Sequence, residues 1–561
     1  MNLATSPPEA TADPLLIRGR VLPLNDDNDA AVEAVTIDRG LIGSVGSLRE
    51  LAVPDGAREV DFGDRVVMPA FVDPHAHLEI TSVARYSMAD CRAPSHKNIS
   101  EALEALAEKA RETEKGEWVM GEANLFFDQK IEDKRLPTRE ELDTVSTEHP
   151  LILRAGGHTS VINSRALEIT DVAKYIGQQG MMGGAVVHLG DDGQPTGVIS
   201  ELDKALGLPI LDRGRLRAAL EQGIENLFLQ YGVTAVGEIS ESREGLAILD
   251  DLIGPGRAPI RLAVYLWAPG TCTVEEACEW PPFAAPNGDM RVSGLKMFAD
   301  GGYSARNAAA RTPYLNPDGS ESHTGKINLS VEEIADAARR TRAAGIQLAI
   351  HGNGELAQDQ ICNGILASGV KDPLVPRIEH AGNVLTEFSA TELWKRAGVT
   401  PVPQPVFLYN FGEGLTTYLG PAVEKGRYPF RSLLDAGWRI SGSSDCHLGC
   451  EERQTNPLFG IWCCVARRGF WGEEIQPEES ISVTEALRMH TLYAAEAIRE
   501  EDERGSLDAG KRGDVIVLDR DPREVPADEL PDVKVDFVYV DGRQVYVREG
   551  ARPAATKEVT G

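Results

Sequence analysis

Residues 66–77 read VVMPAFVDPHAH, an apolar run that ends in two histidines separated by a single residue. A short and nearly continuous apolar run is typical of a strand that is buried on both faces, as in a parallel sheet. Successive side chains of a strand point to opposite faces, so His75 and His77 are predicted to point to the same side. The stretch therefore predicts the first strand of a parallel α/β sheet, with two imidazoles at its carboxyl end.

Seven later stretches have the same apolar character, and helical patterns such as residues 216–232 and 331–345 lie between several of them. Eight strands that alternate with helices predict a (β/α)8, TIM-like barrel. The seven stretches are GVTAVGE (232–238), PIRLAVYLW (259–267), RVSGLKMFADG (291–301), GIQLAIHG (345–352), VPRIEHA (375–381), GVTPVPQP (398–405) and WRISGSSD (438–445).

Both ends of the chain are instead rich in short β-branched runs separated by turns, as in the stretch 505–519 and the strand–turn–strand pattern that follows it. Because chain termini often lie close together, residues 1–68 and 501–561 are predicted to form one β-sandwich. The barrel is predicted over 69–500. The residues between its first two strands are too many for a βα connection, so 85–212 is predicted to be an inserted subdomain.

The chain carries 57 Lys and Arg against 87 Asp and Glu, a formal net charge of −30. This charge argues against nucleic acid and against an anionic membrane surface as partners, because both would be repelled. Residues 1–14 lack the basic start and the apolar stretch of a signal peptide, and no apolar run is long enough to span a membrane. We therefore predict a cytoplasmic protein that acts on a small molecule, assembled as a homodimer, the commonest symmetric oligomer.

The eight cysteines are scattered along the chain, which predicts reduced thiols rather than a disulfide framework. The alternative is a structural zinc site. Its four candidate thiolates are Cys446, Cys450, Cys463 and Cys464. They fit such a site poorly, because three residues separate the first two and the last two are adjacent in sequence.

Titratable groups also mark later strands of the predicted barrel. Lys296 lies inside the stretch 291–301, His351 and His380 end two strands, and Asp445 ends the eighth. Functional groups of TIM barrels gather at the carboxyl ends of the strands, so these side chains are predicted to converge. Imidazoles and carboxylates suit Zn²⁺, Mn²⁺, Fe²⁺ or Ni²⁺, and the lack of a thiolate favours an open catalytic site.

Two alternatives accompany this metal-site prediction. His75 and His77 are also typical of two hydrogen-bonded polar residues at the end of a strand. Lys296 is also compatible with an ordinary cation paired with Asp300, in which case a site for a single metal ion becomes the better interpretation.

The chain resembles the amidohydrolase superfamily, in particular the amidohydrolase-3 group related to N-substituted formamide deformylase. The resemblance covers nearly the whole chain in order. It is carried by MPAFVDPHAHL (68–78), RAGGHTSVINSRAL (154–167), DGQPTGVISE (192–201), LKMFADGG (295–302), LAIHGNGELA (348–357), PRIEHA (376–381), SGSSD (441–445) and GSLDAGKRGDVIVLD (505–519).

The resemblance implies a centre for two divalent metal ions, expected to be zinc, with manganese, iron and nickel as alternatives. One ion would be held by His75, His77 and Asp445, and the second by His351 and His380. Lys296 would carry a CO2-derived carboxylate and bridge the two ions. The implied activity is hydrolysis of a C–N bond of an amide, formamide or cyclic amide by metal-activated hydroxide, with Asp445 as general base and then general acid.

Five further residues are predicted to contact substrate. His158 matches a histidine of the family that can reach the active site, although a packed structural histidine is the alternative. Glu238 ends the second strand, where a buried salt bridge is equally compatible, and Arg306 is a candidate for binding a carboxylate. The set comprises His158, Glu238, Tyr303, Arg306 and Gln404.

The sequence SSDCHLGC departs from the family pattern by placing Cys446 and His447 directly after Asp445. This departure puts the transfer of any substrate preference in doubt. Deamination or ester hydrolysis on the same site is the alternative activity, since one fold supports several chemistries. A catalytically inactive binding protein is the alternative from another class, and the presence of all the expected ligand residues argues against it.

Overall fold

The computed structural model describes residues 13–26, 30–176, 186–203, 206–254, 257–316, 318–371 and 374–558. The prediction about a leader at residues 1–14 falls almost entirely outside these ranges. The strands, in chain order, are β1 (Leu15–Val21), β2 (Val32–Asp38), β3 (Leu41–Gly46), β4 (Arg58–Pro69), β5 (Phe71–Ala76), β6 (Ala89–Asp90), β7 (Val119–Ala123), β8 (Leu151–Ala155), β9 (Thr159–Ile162), β10 (Val186–Leu189), β11 (Pro195–Ser200), β12 (Val233–Ile239), β13 (Arg261–Trp267), β14 (Met290–Phe298), β15 (Gln347–His351), β16 (Arg377–Glu379), β17 (Thr400–Val402), β18 (Val515–Leu518), β19 (Val535–Val540), β20 (Arg543–Val547) and β21 (Ala555–Glu558).

Helices connect most of these strands, and short 3₁₀ turns and one π-helical turn (Ile224–Phe228) complete the described structure. The α-helices are α1 (Leu78–Ser87), α2 (Ile99–Glu112), α3 (Phe127–Lys130), α4 (Arg139–Val145), α5 (Ser164–Ile169), α6 (Arg213–Gly223), α7 (Arg243–Leu252), α8 (Val274–Cys278), α9 (Val331–Ala344), α10 (Glu355–Ser368), α11 (Thr391–Ala397), α12 (Val406–Phe411), α13 (Leu415–Leu419), α14 (Phe430–Asp435), α15 (Pro457–Ala466), α16 (Val483–Met489) and α17 (Leu492–Ala497).

The centre of the fold is a seven-stranded parallel sheet with the order β17-β16-β15-β14-β13-β12-β5. Its strands read as apolar runs because both faces are covered, and every residue of β12 and β13 is buried. Helices such as α7, α9 and α10 follow individual strands and pack their apolar faces on the sheet. The chain is thus a mixed α/β protein built on a parallel, barrel-like sheet.

The eighth predicted strand, residues 438–445, is not a strand. Its amide groups bond to separate segments instead of one neighbouring strand: Gly442 N–H donates to Met489 O and Asp445 N–H donates to His75 O, both at 2.8 Å. The Ser443 hydroxyl donates to Pro403 O, just beyond β17. The segment therefore links the two edge strands of the sheet without a regular ladder, and the sheet is nearly closed.

A second sheet combines strands from both ends of the chain, with the order β20-β19-β18-β4-β1-β2-β3 and β21 paired to β4. The junction is the antiparallel pair of β4 and β18, in which Val67 is opposite Val517. These residues are buried in a core of their own that includes Ile17 and Phe537. Strands from the two ends of the chain thus pair at this junction.

A third sheet, with the order β10-β11-β9-β8-β7-β6, lies entirely between β5 and β12 in sequence. All its strands fall within residues 85–212, where the insertion was predicted. Across the described ranges as a whole, no helix has the length and apolarity needed to cross a membrane. All eight cysteines are free thiols.

Candidate metal centre

The predicted ligands converge on one cavity at the carboxyl ends of the parallel strands, with a volume of about 200 Å³. Parallel strands deliver their carboxyl ends to the same edge of a sheet, which is why residues far apart in sequence meet here. The polar residues that line it are His75, His77, Arg154, His158, Glu201, Asp203, Glu241, Lys296, Tyr303, Ser304, His351, Asn353, His380, Asp445 and His447.

Asp445 lies at the centre of this group. Its carboxylate oxygens are 3.4 Å from His75 Nε2, 3.5 Å from His77 Nε2 and 3.8 Å from His380 Nδ1. Single donor atoms of His75, His380 and Asp445 all lie within 4.8 Å of one another. All three side chains are buried. A carboxylate surrounded by imidazoles at these distances is a donor set suited to a borderline divalent cation.

The inward-facing nitrogens of His351 and His380 carry lone pairs. His351 Nε2 donates to Gly301 O at 3.0 Å, and His380 Nδ1 donates to Gln404 Oε1 at 2.7 Å. The two remaining nitrogens, His351 Nδ1 and His380 Nε2, are then both acceptors, yet they lie 2.9 Å apart. Two lone pairs at that distance need a shared cation or proton between them, so this pair fits a metal ion.

His75 and His77 are held by carboxylates on their outer nitrogens. His75 Nδ1 lies 2.6 Å from Glu379 Oε2, and the described residues offer neither atom another hydrogen-bond partner. His77 Nδ1 lies 2.9 Å from Glu241 Oε1. A carboxylate on the outer nitrogen fixes the tautomer and leaves Nε2 free to bind a metal ion.

Glu379 and Glu241 were both missed by the sequence analysis. Glu379 directly precedes His380, and strand alternation places neighbouring residues on opposite faces. The backbone leaves the strand at His380, whose φ is 74°, and Asp445 has a φ of 41°. Non-glycine residues are rarely left-handed, and such strain is common at functional sites. The positive φ at His380 marks the point where strand alternation ends and both side chains reach the same cluster.

We expect Glu379→Gln to weaken metal binding about 10- to 100-fold, the usual effect of losing the carboxylate behind a metal-binding imidazole. The amide keeps the shape of the side chain but removes the charge that stabilises the Nδ1–H tautomer of His75. The measurement is metal content after dialysis against a graded chelator series. Glu479→Gln, a buried carboxylate that accepts from Ser432 N at 2.8 Å away from the centre, is the control. Equal metal retention in both variants would contradict the role given to Glu379.

Burial dominates the electrostatics of the centre. Desolvation lowers the pKa of His75, His351 and His380 well below the usual value, which keeps these imidazoles neutral. Desolvation also lowers the pKa of Lys296 to about 8, although the carboxylates of Glu379 and Asp445 oppose the shift. The centre therefore presents neutral imidazole nitrogens and a lysine that loses its proton more readily than a solvated one.

Lys296 is fully buried, and its Nζ lies 3.2 Å from His75 Nε2. The alternative pairing with Asp300 is not found, because that carboxylate instead accepts from the amides of Ala309, Asn353 and Gly354 at 2.7–3.0 Å. Within the described ranges, no carboxylate lies within 4.0 Å of Lys296 Nζ. Lys296 is thus a buried amine at the metal centre and not one half of an ion pair.

Of the five predicted substrate contacts, His158 and Tyr303 line the cavity. His158 Nδ1 lies 2.9 Å from Glu201 Oε1. Burial lowers the pKa of the imidazole, but this carboxylate outweighs it, so the pKa is raised overall. Glu201 follows β11 of the third sheet and was not identified from the sequence. The Tyr303 hydroxyl donates to Asn353 O at 3.1 Å.

The other three predicted contacts lie outside this cavity. Glu238 accepts from Leu78 N at 2.7 Å and so caps the start of α1 instead of meeting substrate or forming a salt bridge. Gln404 is fully buried and orients His380. Arg306 stacks over the Tyr418 ring, 4.3 Å from its centroid, beside a neighbouring cavity.

The remaining wall of the cavity is apolar and aromatic. It is formed by Ile80, Leu125, Phe126, Trp267, Phe298, Phe407, Phe411 and Leu448. Phe126 and Phe411 stack with centroids 5.2 Å apart, and Phe407 contacts both Phe411 and the imidazole of His380. A few convergent polar groups in an apolar pocket are typical of a site for a small organic molecule.

Fold and site together define an α/β protein with a candidate metal site at the carboxyl ends of its parallel strands. Residues 58–546 match the model of the amidohydrolase family. N-substituted formamide deformylase of Arthrobacter pascens is 30% identical over 96% of this chain and 99% of its own length. Two metal-dependent hydrolases of known structure share the fold: one from Pyrococcus furiosus (24% identity, TM-score 0.66, 91% of this chain and 100% of that chain) and one from Pyrococcus horikoshii OT3 (22%, 0.68, 92% and 99%).

The chain belongs to the amidohydrolase family. It is a hydrolase that acts on carbon–nitrogen bonds other than peptide bonds. The family resemblance predicted from the sequence motifs is thereby confirmed.

Proposed function

We propose that the enzyme hydrolyses a C–N bond of an amide, formamide or cyclic amide in a small molecule, using divalent metal ions held at the centre described above. The observation that carries the proposal is the convergence of His75, His380 and Asp445, whose donor atoms lie within 4.8 Å of one another beside an apolar cavity. The similarity to a formamide deformylase over nearly the full length of both chains supports the type of bond.

His75, His77 and Asp445 would hold one ion, expected to be zinc, and His351 and His380 a second. When bound, such ions lower the pKa of water towards neutrality and polarise a carbonyl group. The Asp445 carboxylate accepts the proton of the attacking water and later delivers it to the leaving nitrogen, which departs poorly unless it is protonated. His158, whose pKa the Glu201 carboxylate raises, would donate from Nε2 in its charged form to the oxygen that gains negative charge.

Lys296 is proposed to bridge the two ions as a carboxylate formed with CO2. The neutral amine adds to CO2 and releases one proton, which leaves an anionic oxygen for each ion. Two features support this step: the amine is fully buried without an ion-pair partner in the described chain, and burial lowers its pKa to about 8. Both features increase the fraction of the reactive neutral form.

We also propose the finer architecture that the resemblance implies. The seven parallel strands and the segment 438–445 would form a TIM-like barrel over 69–500, with residues 85–212 as an inserted subdomain. The sheet from both chain ends would fold as a β-sandwich of residues 1–68 and 501–561. The third sheet supports the insertion, because it supplies His158 and Glu201 to the cavity wall.

Metal stoichiometry tests the proposal. Protein purified without chelator is expected to contain about two first-row metal ions per chain, as binuclear hydrolases do. Lys296→Met should lose at least one ion, and Lys395→Met, an exposed lysine paired with Glu392, should lose none. About one ion in the wild type would leave a single-metal hydrolase and remove the bridging role of Lys296. No ion after incubation with metal and bicarbonate would favour the binding-protein alternative.

Activity of the metal-loaded enzyme tests the bond type. We expect turnover of N-alkylformamides or small cyclic amides, measured as release of the amine or acid. Turnover confined to esters or to amino-substituted heterocycles would replace amide hydrolysis by the alternative activities.

A further inference from the structure

His447 lines the cavity directly beside the proposed metal centre, and the mechanism above does not use it. Its Nδ1 lies 2.5 Å from the backbone oxygen of Asp445. A carbonyl oxygen only accepts, so Nδ1 carries the hydrogen. In the described part of the chain, no carboxylate oxygen lies within 4.0 Å of either ring nitrogen, and the ring packs edge-on against Phe407. With the hydrogen on Nδ1, the lone pair of the imidazole is on Nε2, which is then a hydrogen-bond acceptor.

That acceptor, His447 Nε2, is open to the cavity. The described residues provide no hydrogen bond to it, and it is not among the buried polar atoms that lack a partner. It is therefore accessible from the cavity that the ring lines. A lone pair placed in this way recognises an N–H or O–H group of a bound molecule.

His158 lines the same cavity and presents a hydrogen-bond donor instead of an acceptor. Its Nδ1 contacts the carboxylate of Glu201 at 2.9 Å, and its Nε2 is likewise neither buried nor bonded within the described chain. The Glu201 carboxylate raises the pKa of His158, which favours the charged imidazole, and that form donates from its outer nitrogen. The cavity thus presents one imidazole donor and one imidazole acceptor, which match the C=O and N–H groups of a secondary amide.

We infer that His447 is a specificity-determining residue that accepts a hydrogen bond from the amide N–H of the substrate. The enzyme then selects secondary amides over N,N-disubstituted amides, because a methyl group in place of the hydrogen covers the acceptor and leaves it unpaired. The inference rests on the proposed function, since it takes the substrate to be an amide bound at this centre.

Two substitutions separate recognition from a merely structural role. The shorter amide side chain of the His447→Asn variant reaches only the Nδ1 position, so this variant keeps a donor to the Asp445 carbonyl and loses the acceptor. His447→Gln places its amide oxygen near the Nε2 position, so it keeps an acceptor and loses the bond to that carbonyl. If His447 only positions Asp445, His447→Asn should impair the protein less than His447→Gln. If His447 binds the substrate N–H, His447→Gln should impair it less.

The test compares N-phenethylformamide with N-methyl-N-phenethylformamide, an aromatic pair suited to the lining of the cavity. Dissociation constants are measured by calorimetry with the metal-loaded protein in an Asp445→Asn background, so that turnover is not needed. We expect the secondary amide to bind about 10- to 100-fold more tightly, the usual cost of leaving a buried acceptor unsatisfied. His447→Asn should abolish that ratio and His447→Gln should largely retain it.

Equal binding of the two amides, no binding of either, or a ratio that survives in His447→Asn would each overturn the inference. Turnover is followed in parallel with the Asp445-containing enzyme. A selective ratio without hydrolysis of the secondary amide would leave the role of His447 standing while the proposed function fails. Hydrolysis of both amides at equal kcat/KM, with equal binding, would overturn the role of His447 while the proposed function stands.

Discussion

Replacing Asp445 by asparagine is expected to reduce kcat about 10²- to 10⁴-fold, the usual contribution of a positioned acid–base group. The carboxylate lies 3.4–3.8 Å from three imidazoles. In the proposed mechanism it binds a metal ion and moves the proton from water to the leaving nitrogen. An amide of the same shape cannot accept that proton. The measurement is steady-state hydrolysis of a formamide by metal-loaded protein.

Asparagine is also the substitution that leaves the fold intact. Asp445 has a φ of 41°, a left-handed conformation that Asn and Asp adopt more readily than other side chains. Burial raises the pKa of Asp445 to about 6, so the ionised carboxylate lowers the stability of the metal-free protein near pH 7. Removing this charge should leave the melting temperature of the metal-free protein unchanged or higher.

Asp143→Asn is the matched control, because that carboxylate accepts from Ser164 N at 2.9 Å outside the centre. It should retain full activity. A folded Asp445→Asn enzyme with undiminished kcat would remove Asp445 from the mechanism, whereas a variant that fails to fold would be recognised by its melting curve.

Much of the parallel sheet could be predicted from local patterns. Seven of the eight predicted stretches contain strands, because an apolar run covered on both faces has a signature that does not depend on its neighbours. The stretch 438–445 has a similar composition, but its amides bond to three separate parts of the chain. That arrangement depends on contacts between residues far apart in sequence, which no local pattern records.

The candidate ligand residues could be predicted in the same way, and the carboxylates that hold them could not. His75, Lys296, His351 and Asp445 were identified because each ends or interrupts an apolar run. Glu379 was missed since strand alternation predicts that it points away from His380, and only the left-handed backbone at His380 brings both to the cluster. At the end of β12, by contrast, Glu238 was predicted to contact substrate, and its side chain lies outside the cavity.

Glu238 illustrates this second kind of error. It does end its strand at the level of the site, but the first turn of α1 lies directly over it and uses both carboxylate oxygens. A helix N-terminus offers free amide groups that a buried carboxylate satisfies well. The position of one helix thus converts a predicted substrate contact into a helix cap.

Replacing Arg261 by methionine is expected to reduce the free energy of unfolding by about 3–5 kcal/mol, the usual cost of breaking a buried ion pair on one side. Arg261 begins β13 and is only 4% exposed. Its guanidinium lies 2.6 Å from carboxylate oxygens of both Asp514 and Asp541, and 3.1 Å from Asp289. Asp514 and Asp541 flank strands of the chain-end sheet, so this one side chain joins that sheet to the parallel sheet.

The pH dependence of this loss follows from Asp514. Desolvation raises the pKa of its carboxyl group, but the guanidinium groups of Arg261 and Arg504 outweigh it, so the pKa is lowered overall. A lowered carboxyl pKa contributes stability that is complete above the unfolded value of about 3.9 and is lost as the pH falls through the folded value. The difference between wild type and Arg261→Met should therefore be full at pH 7 and shrink below about pH 4.

Urea unfolding followed by fluorescence measures the effect, with Arg340→Met as the control. Arg340 is 43% exposed and pairs with Asp336 at 2.6 Å on the surface of α9, where ion pairs contribute at most about 1 kcal/mol. A loss below about 1 kcal/mol in Arg261→Met would mean that the two sheets are joined mainly by apolar packing. A large loss with a separate early transition would show that the chain-end sheet detaches first, since Asp514 and Asp541 would keep Arg504 and Arg512 but lose the guanidinium that links them to the parallel sheet.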